Sequence, residues 1–156
     1  MAAALLTLTL LSIGGLAASF VLAIRSDTGA SSHVGIAVFS TMLNLLAHSF
    51  MMFYLIGKGK AVREAAEEGG LQGDYAGRIA ALRAPVFSRA TAAMVVLMAT
   101  AIIGASVDVG VMSRIPHAIL AGVALAAQAH TLLAEVRALT GTARIVDDVN
   151  ARLAGS

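Results

Sequence analysis

The sequence predicts an all-α fold, a four-helix transmembrane bundle, and three observations predict it. Hydrophobic residues make up 58% of the 156 residues and charged residues only 13%, where soluble chains carry about a quarter. Four apolar runs each approach the ~20 residues that cross a hydrocarbon core of ~30 Å. No run alternates apolar and polar residues as a half-buried strand would, and backbone groups in lipid must be satisfied within their own segment, which favours helices. The length fits one integral membrane domain, 1–156.

The first run, Ala2–Ile24, has no basic residue before Arg25 and is longer than the apolar core of a signal peptide, so it reads as a retained span. A polar Ser/Gly turn, Arg25 to His33, leads to the second run, Val34–Gly57. The connection 58–85 is longer. It reads as a helical extension, a break at Gly69-Gly70, and a short amphipathic helix ending before Pro85. The third run is Val86–Val109. A tight turn, Gly110 to Arg114, places Pro116 at the start of the fourth run, Ile115–Leu139, where proline is tolerated. The tail 140–156 reads as another short amphipathic helix.

Basic residues near span ends stay preferentially in the cytoplasm. Lys58, Lys60, Arg63, Arg78, Arg83, Arg89, Arg137, Arg144 and Arg152 fall on one side, and only Arg25 and Arg114 on the other. Four spans put both termini on the basic side, so helix count and charge agree on cytoplasmic termini, and the alanine-rich, arginine-biased composition suggests a bacterial inner membrane. Small residues (Ser12, Gly14, Gly15, Ala17, Ala18, Gly104, Gly122, Ala126, Ala127) permit close helix approach. The expected partners are the lipid bilayer and other membrane subunits or further copies of the chain. No basic stripe with interleaved aromatics suggests nucleic acid. With no cysteine, a metal centre would draw on His, Met or oxygen ligands. No nucleophile–base pair, phosphate loop, HExxH or paired carboxylates suggests an enzyme.

All four histidines lie on the second and fourth spans: His33 and His48 on one, His117 and His130 on the other. Those spans run in the same direction. At ~1.5 Å per residue, His48 and His130 share a level within about 5 Å of the midplane, and His33 and His117 form a second level about 20 Å away. Ionisable groups at such depth are functional candidates by default. Asn44, one turn from His48, is placed to orient its ring. Ala126 and Ala127 leave room beside His130.

This pattern resembles the four-helix membrane cytochromes b, in which two helices each supply two histidines to haems stacked across the membrane. The resemblance is architectural. It implies haem b held by His48 and His130 at an inner site, with His33 and His117 as ligands of a second, outer haem. It also implies electron transfer, exchange with a quinone pool or service as an anchor of a redox complex, and Arg89 as the cation nearest the inner propionates. Bis-histidine iron has no open coordination site and suits electron transfer. The histidine intervals, 15 residues on the second span and 13 on the fourth, are unequal. They rotate by about 60° and by about 140° in the opposite sense, so the two pairs need not face one interior. The alternatives are a non-catalytic scaffold whose histidines bond across helices, and a small transporter. The latter lacks the expected pair of broken helices.

Overall fold

A computed structural model describes residues 1–25 and 31–155; the polar turn expected after Arg25 lies largely outside the described residues. Four helices follow in order: α1 Ala2–Arg25, α2 Ser31–Glu68, α3 Tyr75–Asp108 and α4 Arg114–Ala154. All four are long and apolar enough to cross a membrane. The protein is an all-α four-helix bundle and a multi-pass membrane protein by length and composition.

Consecutive helices are antiparallel neighbours. α4 also packs on α1, and α2 touches α4 across the bundle, whereas α1 and α3 do not meet among the described residues. The two histidine-bearing helices therefore lie on the short diagonal and run parallel.

The helices outrun the spans expected for them. At ~1.5 Å per residue, the 38 residues of α2 and 41 of α4 reach well beyond a ~30 Å core. The segments expected as separate amphipathic helices are continuous with their spans. Pro85 sits inside α3 rather than at its edge; it and Ala81, whose carbonyl loses its helical donor, are both exposed. The ends of α2 and α4 and the beginning of α3 form a three-helix stalk, with Val62, Ala66, Tyr75, Ile79, Ile145 and Val149 as its buried core.

Two chain reversals are fixed by glycine. After α2, Gly70 takes φ 63°, its N–H bonds to the Glu67 carbonyl, and the Leu71 N–H bonds to the Ala66 carbonyl. This is a Schellman ending, which wants a residue without Cβ at that position. After α3 the same ending recurs, with Gly110 at φ 77° and Val111 N–H donating to the Ser106 carbonyl. Between α2 and α3, the Asp74 carboxylate accepts from the Gly77 N–H at 2.8 Å and starts α3. Pro116 falls in the first turn of α4, where its missing N–H costs nothing.

Within the spans polar side chains share the interior with the apolar cluster of Met51, Leu55, Val86 and Ala134. Thr9, Ser12, Asn44, His48, Gln128, Thr131 and Glu135 are fully or almost fully buried. Leu11, Phe39, Met42, Leu46, Phe50, Phe53, Met98, Ile102, Ile119 and Leu133 face outward. Such an exterior suits contact with lipid.

Candidate functional site

Two polar regions lie along the α2–α4 diagonal, one above the other. The first is a cavity of about 510 Å³ near the end of the bundle that carries the short α3–α4 turn. His33 and Thr41 of α2, Ser19 of α1, Thr100 and Asp108 of α3, and Arg114 and His117 of α4 line it, among apolar neighbours such as Phe20, Val38, Leu97 and Leu125. The Nδ1 atoms of His33 and His117 are both buried with no hydrogen-bond partner. Ser19 holds the backbone at this level by donating to the His33 carbonyl at 2.9 Å.

The His117 ring packs against α3 at Gly104, where a Cβ would come within 2.8 Å of its Cε1. Gly104 is therefore a helix-approach glycine as the sequence suggested, and Gly15 is another, set against Ser40. Gly14 and Gly122 have open space beside them and serve no such contact.

The second region lies one helical turn further into the bundle. His48 is fully buried, and both ring nitrogens are engaged: Nδ1 lies 2.6 Å from Glu135 Oε1 and Nε2 2.6 Å from Gln128 Oε1. Glu135 and Gln128 are themselves fully buried. Beside them the Asn44 amide donates to Ser12 Oγ at 3.0 Å, and Ser12 donates to the Thr9 carbonyl. Polar groups buried this way are stable only with partners, yet Glu135 Oε2, Gln128 Nε2 and Asn44 Oδ1 have none.

The geometry corrects the expected inner pair. His130 is exposed on the outer surface of α4, so it does not meet His48, whose ring is held by Glu135 and Gln128 instead. Helical phase is the reason. Thirteen residues from His117 turn a side chain by about 140° away, whereas 11 residues to Gln128 and 18 to Glu135 return it within about 20° of the same face. On α2, the 15 residues from His33 to His48 shift the face by only about 60°, so both stay inside.

The other expected site residues also shift. Asn44 is buried as its spacing implied, but its amide turns to α1 rather than to His48. Ala126 is exposed and Ala127 half-buried, and neither lines the cavity, so the room expected beside His130 is not an interior space. Arg89 is half-buried on α3 and does not line the cavity, where Arg114 is the basic residue. His33 and His117 are the pair that the fold brings to one space.

Gln128 and Glu135 escaped the sequence reading because both sit within an apolar run. The signal was available: a carboxylate four residues inside the expected end of a span, a whole number of turns from His117. No protein-family profile, curated protein or solved structure matches this chain.

Proposed function

We propose that this chain is a membrane-embedded b-type haem protein that transfers electrons, with its haem in the turn-end cavity and His33 and His117 as axial ligands. The observation that carries this reading is the cavity itself: imidazoles from the two parallel helices line one space, and neither uses its Nδ1 within the protein. A volume of about 510 Å³ falls within the ~300–1,000 Å³ of ligand pockets, which are mostly apolar with a few polar groups. Imidazole pairs suit iron. Arg114 is the cation that would meet the propionates, and bound haem would supply a one-electron couple without an open coordination site. The stalk, on the basic side of the sequence, would face the cytoplasm. The cavity would then lie toward the opposite surface, open to exchange with a quinone or a partner subunit.

Purified full-length protein reduced with dithionite is expected to show sharp α and β bands. A colourless preparation that takes up no added haem overturns the proposal and leaves a helical accessory subunit.

A further inference from the structure

The cavity reading makes no use of the buried cluster beneath it. We propose that His48, clamped between Glu135 and Gln128, is a proton-binding site inside the bundle that loads and unloads at Nε2. The inference concerns the cluster alone and stands or falls apart from haem binding.

The two partners of the ring differ in what they can donate and accept. Glu135 Oε1 accepts the Nδ1–H bond whichever protonation state the ring holds, which leaves Nε2 as the variable atom. Opposite it stands an amide. Oriented with Oε1 toward the ring, Gln128 accepts a hydrogen bond from a protonated Nε2; rotated about its last bond, it presents Nε2–H to an unprotonated ring nitrogen. Either orientation fits the same space, because amide oxygen and nitrogen are nearly equal in size. The second amide atom is free in both states, since Gln128 Nε2 now has no partner. One proton can thus join or leave the ring with the number of unpartnered amide atoms unchanged, Nε2 in one state and Oε1 in the other. A fixed backbone carbonyl in the same place could only accept, and would favour the protonated ring.

The surroundings contain no competing charge. α1 contributes the hydroxyls of Thr9 and Ser12, and α2 itself contributes Asn44 and Met51. α3 presents Ala90, Ala93 and Leu97 to the interior, with Arg89 only partly buried beside Ala90. α4 adds Gln128, Thr131 and Glu135. Among the described residues His48 and Glu135 are the only buried histidine, acidic or basic side chains. The entry side is also defined. Thr41 and Ala124 line the cavity one turn from Asn44 and from Gln128, so the Nε2 side of the ring faces the cavity floor and the Nδ1 side faces the stalk. Buried Asp, Glu and His arrays of this kind are the usual proton-handling groups of membrane proteins.

The test is 15N NMR of the full chain, labelled at histidine, in phosphatidylcholine nanodiscs over about pH 5–8, where histidine changes charge. His48→Gln assigns the resonances. The expected result is a reversible change at His48 Nε2 between protonated and unprotonated positions, with Nδ1 protonated throughout. Gln128→Glu, which keeps an acceptor but removes the amide donor, is expected to move that change to higher pH, and Gln128→Leu to remove it. A wild-type His48 ring in one protonation state across the whole range overturns the proposal, since the cluster is then a fixed strut. So does a transition that ignores both Gln128 substitutions.

Discussion

The span and stalk regions of the same helices differ in where they put their polar side chains. In the stalk, Ile79, Val149, Val62 and Ala66 are buried, and charge lies outside as Lys60–Glu64, Arg63–Glu67 and Arg152–Asp148 pairs. In the span, large apolar side chains face outward, and the interior sets His48, Glu135, Gln128 and Asn44 beside buried Met51, Leu55 and Leu97. The stalk is driven together by water, as any small soluble core is. The span has no such force and relies on close approach and interhelical hydrogen bonds. Damage to the two regions should therefore have different signatures.

The largest effect is expected at the buried pair. Glu135→Ala leaves His48 Nδ1 facing an empty space, and removing one partner of a buried pair costs about 3–5 kcal/mol. Unfolding of the detergent-solubilised protein, followed by circular dichroism, measures it. The double replacement His48→Leu/Glu135→Leu should recover most of that loss, because apolar substitutes for a buried pair are often neutral. A double variant as unstable as Glu135→Ala would show that the span interior depends on polarity itself.

In the stalk, Ile79→Ala removes a fully buried side chain at a cost of about 2–5 kcal/mol. Its effect should be local: faster proteolysis of the Gly69–Asp74 connection, with the span's unfolding unchanged. A smaller effect, about 1–2 kcal/mol, is expected for Gly70→Ala, since Gly70 takes φ 63°. The same assay reads it.

The smallest effect comes from Asp148. The hydrogen bond from Arg152, helped by Arg78, holds its carboxyl below the ordinary carboxylate range. A carboxylate whose folded value is depressed contributes stability that is present above its unfolded value of about 3.9 and lost as pH falls through the lower folded value. Wild type and Asp148→Asn should therefore differ slightly near neutrality and converge in acid. Screening by salt should shrink the difference further, as for any exposed pair.

Much of the fold could be read from residues alone. Four hydrophobic runs, the Gly69-Gly70 break and Pro116 at a helix start all correspond to what is seen. Hydropathy marks where solvent changes rather than where a helix ends, which is why the stalk read as separate pieces. Pro85 misled for a related reason: on an exposed face a helix tolerates the missing bond. At the site, depth was legible but direction was not. His130 shares a level with His48, yet only its phase relative to His117 shows that it points outward. Glu135 and Gln128 were hidden by averaging over a run rich in alanine and leucine, although their spacing from His117 placed them on its face.

The proposal that His33 and His117 hold a haem is decided by haem content per chain in four single variants. Protein bearing His33→Ala or His117→Ala is expected to lose haem, while His130→Ala retains it and His48→Ala retains it wherever the chain folds. Undiminished haem in the His33 and His117 variants, or loss confined to His130→Ala, would contradict the account.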